Sequence, residues 1–190
     1  MCGGRGTRLG GTEKPLRRIG GRPTIDRVFD ALEGSNVGRV YAVTSPHAPR
    51  TAAHVSAPLI ETAGDGYVAD LQAALDDDRV SQPVLTAAAD LPLLDATAFD
   101  GVLRTAGGRT LTVAVPVGRV RALGFSVDTT TRHRGIAVRP AGINVVGTAP
   151  DRVWVTRDSR LAANVNRPGD LPAAAWHLAR DGQSDTQQKR

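Results

Sequence analysis

Gly3-Gly4-Arg5-Gly6-Thr7-Arg8-Leu9-Gly10-Gly11-Thr12-Glu13-Lys14-Pro15-Leu16 stands almost at the head of the chain, and the architecture follows from it. Its glycines permit positive φ and close approach of another group, so several successive N–H groups can point into one concavity. A concavity of that kind binds an anion, and Arg8 and Lys14 add formal positive charge. Lysine is otherwise nearly absent from this arginine-rich chain, the other being Lys189 near its end. A single compact ammonium beside a glycine loop suits phosphate as a movable point charge, where arginine would bind through a planar fork.

Two familiar phosphate motifs do not fit. No Gly-Lys-Ser/Thr closes the loop, so it is not a Walker A motif, and Gly4-x-Gly6 lacks the glycine three residues on that the dinucleotide fingerprint requires. A phosphate loop in a parallel sheet follows a buried apolar strand, which aims it at the ligand. Only Met1 and Cys2 precede it here. We therefore expect the first strand to be missing, with translation starting further upstream and Met1 belonging to that strand.

With 190 residues, 41% of them hydrophobic, the chain is long enough for one domain with a real core, expected over residues 1–182 with a disordered tail at 183–190. Its apolar runs are too short for a membrane span. One cysteine, Cys2, rules out an internal disulfide framework and fits a reducing cytoplasm. The net charge of +5 comes from scattered arginines with no basic, aromatic-studded helix face, which points to small anionic substrates and not to nucleic acid. His47, His54, His133 and His177 have no metal-ligand spacing.

Downstream, strands alternate with helices. Ile25, Val28, Phe29 and Leu32 make one apolar face of a helix capped by Thr24 and ended by Gly34. Arg39–Thr44 and Leu59–Thr62 read as strands around a short helix after Pro49. Tyr67–Leu75 reads as a helix with Val68, Leu71 and Leu75 inward. Val84–Ala89 is a buried strand, 96–106 a helix, and Leu111–Val117 a strand. The segment 118–135 has no clear period. Order resumes at Pro140–Val146, Val153–Val155 suits an edge strand, and a last helix runs through Arg180. The expected fold is a single α/β, Rossmann-like domain with a mostly parallel sheet and helices on both faces.

Asp90 stands at the carboxyl end of a buried strand, where open α/β sheets place ligands. It could hold magnesium or cap the next helix, although Asp95 is better placed as a cap. Asn164 and Asn166 alternate on an extended stretch and so project the same way, either toward metal or phosphate or into turn formation ahead of Pro168-Gly169. Gly142 and Asn144 lie in a small-residue segment that admits a nucleotide or simply forms a buried turn. Gly64-Asp65-Gly66-Tyr67 either meets a base or opens a helix.

The loop resembles the signature loop with which cofactor and sugar-phosphate nucleotidyltransferases wrap an NTP triphosphate. GGRGTRLGGTEKPL, AVTSPHAPRT, GDGYVADL, AADLPLL, PAGINVV and NVNRPGDL, in that order from residue 3 to residue 171, resemble the archaeal-type GTP:adenosylcobinamide-phosphate guanylyltransferases of that superfamily. The loop and the asparagine pair are common to several cofactor nucleotidyltransferases, while TSPHAPRT and PAGINVV are more specific. The resemblance implies GTP and adenosylcobinamide phosphate as substrates, Mg2+ as cofactor, and adenosylcobinamide-GDP and pyrophosphate as products. It places Gly3, Gly4, Arg5, Gly6, Thr7, Arg8 and Lys14 on the triphosphate, with Arg8, Lys14 and Asp90 catalytic. Asp90 and Asn166 would serve the metal, and Gly66, Gly142, Asn144 and Asn164 the nucleotide. A homodimer is compatible with this reading. Two alternatives stay open: a molybdenum-cofactor guanylyltransferase with a pterin acceptor, and a GTP-binding regulator without turnover.

Overall fold

The computed structural model describes residues 1–4 and 13–188, with side chains as far as Arg180. The expectations for Arg5, Gly6, Thr7 and Arg8 lie outside the described residues. Lys14–Leu16 form a short 3-10 turn, and β1 (Arg18–Ile19) and β2 (Arg22–Pro23) a small hairpin through Gly20 and Gly21, both at positive φ. Helix α1 (Thr24–Glu33) buries Ile25, Val28, Ala31 and Leu32. Thr24 is its first helical residue and not its cap; its hydroxyl donates to the Arg17 carbonyl.

The strand β3 (Ala42–Thr44), shorter than expected, pairs in parallel with β4 (Leu59–Glu61) across the short helix α2 (Pro49–His54). Helix α3 (Tyr67–Leu75) leads to β5 (Val84–Ala87), and α4 (Ala96–Ala106) to β6 (Leu111–Pro116). Asp95 caps α4, its carboxylate accepting from Ala98 N at 2.8 Å. Segment 118–135, which has no period in the sequence, contains most of α5 (Val117–Ala122) and the strand β7 (Thr131–His133). β7 turns into the long β8 (Ile136–Val146). β9 (Arg152–Val155) is an edge strand, followed by α6 (Ser159–Ala162) and α7 (Asp170–Gln188), which continues past Arg180.

The larger sheet has the order β5-β8-β6-β9, with β7 beside β8. β8 runs against β5 and β6, while β9 runs with β6, so β5, β6 and β9 share one direction and β8 is reversed between them. That reversal was not expected. Its consequence is that Gly142 and Asn144, midway along β8, come to the carboxyl end of β5. α4 packs Phe99 and Val102, both fully buried, against Leu111, Val113 and Ile143 of the sheet, each large side chain contributing about 1.5–3 kcal/mol.

Helix α3 does not present the face its spacing predicts. Val68 is 80% exposed, and the buried residues are Asp70 and Ala74, with Leu71 and Leu75 half-buried. The Asp70 carboxylate accepts from Gly64 N at 3.0 Å, and that inward bond rolls Val68 out toward solvent.

Candidate active site

The carboxyl end of β5 carries Asp90, and three separate segments converge on it. Lys14, from the 3-10 turn, forms an ion pair with the Asp90 carboxylate and donates to Asn166 Oδ1 at 2.6 Å. Val165 N donates to the Asp90 carbonyl at 3.0 Å, which fixes the asparagine pair to the strand end. The Lys14 and Asp90 side chains keep 23% and 12% of their accessibility, enough for a ligand to reach them from one side.

Each partner is held in place by its own anchor. Glu13 reaches across to the start of α2, accepting from Thr51 N at 2.6 Å, Thr51 Oγ1 at 2.6 Å and Arg50 N at 2.9 Å. Burial alone would raise the Glu13 pKa, but the bonds from Thr51 and Arg50 outweigh it and the pKa is lowered. Lys14 is therefore fixed at its neighbour. On the other side Asp170, 2% exposed, gathers four donors: Ser126 N and Oγ, Asn166 N and Arg167 N, at 2.7–2.9 Å. A carboxylate collecting backbone N–H groups at the head of a helix is well matched to the helix dipole. Asp170 shapes the turn that presents Asn166, and nothing in an aspartate at a helix start distinguishes it in the sequence.

Gly142 needs to be glycine. Its φ is +78°, and an added Cβ would lie 3.3 Å from Ala88 Cβ and 3.4 Å from Asn164 Nδ2. Its carbonyl accepts from Ala88 N at 2.8 Å, which locks β8 to the end of β5 beside Asn164. Asp90 Oδ1 and Asn164 Oδ1 are both buried, and neither has a hydrogen-bond partner among the described residues. Two unpaired buried oxygens, one anionic, beside a lysine that already neutralises the other carboxylate oxygen, form a donor set suited to a hard divalent cation.

A second group lies beside this one. A cavity of about 450 Å³ is lined by Gly3 and Gly4, by Gly64, Gly66 and Tyr67, and by Ala88. Gly3 is pressed against β3, since a Cβ there would come within 2.8 Å of Ser45 N, whereas Gly4 faces open space. Asn144 lies on the Tyr67 side, its Nδ2 3.4 Å from the Tyr67 hydroxyl, and not with Asn164 and Asn166. The expected residues thus divide: Lys14, Asp90, Asn164, Asn166 and Gly142 around one point, Gly3, Gly4, Gly66 and Asn144 around its neighbour.

Arg139 ends the arginine-rich stretch that the sequence shows between Val117 and Pro140. It is 3% exposed, donates from Nη2 to the Ala162 carbonyl at 2.7 Å, and has no partner for Nε or Nη1 among the described residues. Burial lowers its pKa, opposed by the charges of Asp90, Asp170 and Asp128. The sequence reading starts this strand only at Pro140, and the burial of Arg139 one residue earlier leaves no periodic signal.

A model of the MobA-like NTP transferase domain matches residues 1–131. The chain is 31% identical, over 202 aligned positions, to the adenosylcobinamide-phosphate guanylyltransferase of Methanocaldococcus jannaschii, an alignment covering 96% of this chain and 97% of that protein. Among solved structures, a hypothetical transferase from Thermus thermophilus superimposes with a TM-score of 0.68 at 19% identity, over 90% of this chain and 96% of that one. A CMP:2-keto-3-deoxy-manno-octonic acid synthetase complexed with CTP gives 0.64 at 13% identity, over 91% and 95%. These two structures share the nucleotidyltransferase-like α/β fold.

Proposed function

Because the chain belongs to the MobA-like NTP transferase family, we propose that it is a guanylyltransferase that transfers GMP from GTP to adenosylcobinamide phosphate in cobamide synthesis. The observation that carries this reading is the identity to the Methanocaldococcus enzyme along nearly the whole of both chains. The cluster of Lys14, Asp90 and Asn166 supplies chemistry of the required kind.

In the proposed reaction an oxygen of the acceptor phosphate forms a bond to the α-phosphorus of GTP. The bond from that phosphorus to the α–β bridging oxygen breaks, and pyrophosphate leaves. A phosphate monoester is already ionised near neutral pH, so no strong general base is needed, and alignment with charge stabilisation is sufficient. Lys14 holds phosphate oxygens, together with the N–H groups of Gly3 and Gly4 and, in the loop outside the described residues, Arg5, Gly6, Thr7 and Arg8. Asp90, with Asn164 and Asn166, would hold Mg2+, which supplies neutralisation of the triphosphate charge. The hollow beside Gly64, Gly66 and Tyr67 takes the nucleoside, and Asn144 steadies Tyr67. Lys14 then has two roles: it neutralises Asp90 before the nucleotide arrives and transfers its charge to phosphate afterwards.

We place the enzyme in the cytoplasm, where the single thiol of Cys2 stays reduced; among the described residues no helix is long and apolar enough to cross a membrane. Pyrophosphate release from GTP with adenosylcobinamide phosphate, with a molybdenum-cofactor pterin, or with neither tests the assignment. Release with the corrinoid alone is expected. Release with the pterin alone would transfer the chain to the sibling activity, and no release in any arm, from protein that still binds GTP, would leave a GTP-binding regulator.

A further inference from the structure

Arg139 is the one charged residue of β8, and it is buried like its strand neighbours Val138 and Ala141. It takes no part in the chemistry proposed above. Its Nη2 donates to the Ala162 carbonyl at 2.7 Å. Ala162 is the last residue of α6, and a carbonyl at a helix end has no partner within the helix. A neutral donor would satisfy that carbonyl equally well. Burying a guanidinium costs more than one such bond offsets, and Nε and Nη1 have no hydrogen-bond partner among the described residues. The charge is therefore compensated elsewhere.

Three carboxylates act on it: Asp90, Asp170 and Asp128. Two of them have a cation of their own, since Asp90 is paired with Lys14 and Asp128 with Arg167. Asp170, buried at 2% exposure, has no ion pair among the described residues. Its four donors, Ser126 N and Oγ, Asn166 N and Arg167 N, are all uncharged. A buried cation and a buried anion, neither with an ion-pair partner, attract across the low-dielectric interior even where no hydrogen bond joins them. Arg139 and Asp170 are such a pair.

The two charges stand at opposite ends of one arm, residues 162–167. Arg139 holds the Ala162 carbonyl where the arm begins. Asp170 accepts from Asn166 N and Arg167 N, each at 2.8 Å, where it ends. Between them Val165 N donates to the Asp90 carbonyl at 3.0 Å. Asn164 therefore lies between the Arg139 and Asp90 anchors, and Asn166 between those of Asp90 and Asp170. We propose that Arg139 is a positioning residue, which with Asp170 forms a buried charge clamp on this arm and holds Asn164 and Asn166 in place beside Asp90 and Lys14. The inference rests on the proposed reaction for what the asparagines do, and on the arm itself for how they are held. An arm gripped at both ends has little freedom left to lose when metal and nucleotide bind.

Two variants separate the charge from the hydrogen bond. Arg139→Lys keeps both a charge and a donor, whereas Arg139→Gln keeps a donor and removes the charge. In nucleotide-free protein the side-chain amide resonances of Asn164 and Asn166 should hold their wild-type positions in the lysine variant. In the glutamine variant they should move toward those of exposed asparagines. For guanylyl transfer, kcat of Arg139→Gln should fall by about 100-fold while KM for adenosylcobinamide phosphate changes by less than about twofold, and Arg139→Lys should come within about fivefold of wild type. Equal behaviour of the two variants, both impaired or both normal, overturns the proposal. Thermal unfolding of Arg139→Gln, Asp170→Asn and the double variant tests the pair itself. Each single change leaves one buried charge uncompensated, so the double variant should melt well above the temperature that adding the two losses gives. Additive losses overturn the clamp. An Arg139→Gln chain that folds only together with Asp170→Asn meets the same prediction, and one that folds in neither background contradicts it. A folded wild-type protein that transfers no guanylyl group would defeat the proposed reaction alone, since the resonances and melting temperatures still decide the clamp.

Discussion

The ammonium of Lys14 is paired with the carboxylate of Asp90 and donates to Asn166 Oδ1 at 2.6 Å, so one cation joins the 3-10 turn, the end of β5 and the asparagine turn. Each of the three comes from a different part of the chain, and each has its own anchor: Glu13 on α2, the end of β5, and the carboxylate of Asp170. A charge shared in this way is easily handed over to an incoming triphosphate.

Replacing that charge is the first prediction. Lys14→Ala should reduce turnover by about 100-fold or more, the scale of losing one oxyanion-type stabiliser, while the far-ultraviolet spectrum stays native. Lys14→Arg should recover little, because a planar fork does not replace a point charge seated between two oxygens. Near-wild-type turnover in the alanine variant would remove the lysine from the phosphate site.

The second concerns the metal. Asp90→Asn keeps the shape of the side chain and removes its charge. It should abolish magnesium-dependent pyrophosphate release while metal-free GTP still binds, measured by calorimetry with and without magnesium. Asp95, not Asp90, caps α4, so helix stability should be unaffected. An unchanged magnesium dependence would contradict the assignment.

The third concerns the acceptor. Arg132, exposed on β7, and Arg134, in the turn from β7 to β8, form a basic hairpin end, where Arg132 Nη1 donates to the Gly135 carbonyl and Arg134 has a φ of 48°. β8 runs from that turn to Gly142, whose carbonyl accepts from Ala88 N, two residues before Asp90. A basic hairpin joined directly to the site suits the phosphate of a bulky acceptor better than it suits the nucleotide. Replacing both arginines with serine should raise KM for adenosylcobinamide phosphate and leave KM for GTP little changed. Both constants at wild-type values would exclude the hairpin from acceptor binding.

A fourth prediction is about pH. Burial disfavours ionisation of Asp95 and Asp158, but hydrogen bonds from Arg160 overcome it and both carboxyls titrate below their ordinary range. The unfolded chain therefore takes up protons first as pH falls, and the stabilisation is complete above about pH 4 and lost as pH drops through the depressed values. Tm of the native protein should fall across that acid window. Arg160→Leu should flatten the fall, with only a small Tm change near neutrality, since the Asp95 side chain is 51% exposed. Parallel pH profiles for the two proteins would contradict the sign.

How much of this could be read in advance depends on the kind of signal each residue leaves. Helix α4 was legible because Asp95 stands as a cap directly before it. Lys14 and Asp90 were legible because each is a chemical exception in its surroundings, a lysine among arginines and a carboxylate after an apolar run. Helix α3 was misread because Asp70 turns inward to accept from Gly64 N, a local bond at the helix start that its periodicity does not show. The direction of β8 is invisible to a pattern that reads only burial, and Asn144 therefore moved away from Asn164 and toward Tyr67. Glu13, Arg139 and Asp170 act through partners far along the chain, and no local spacing encodes such partners.

The central claim is the transfer of a guanylyl group to a corrinoid phosphate, and the product itself tests it most directly. Purified protein is incubated with adenosylcobinamide phosphate, magnesium and, separately, GTP, ATP, CTP or UTP, and the corrinoid is weighed by mass spectrometry. The predicted result is a corrinoid heavier by one GMP unit with GTP, in step with pyrophosphate release, and little or no conversion with the other three. Recovery of unchanged adenosylcobinamide phosphate with GTP, from protein shown to be folded and to bind GTP, would contradict it.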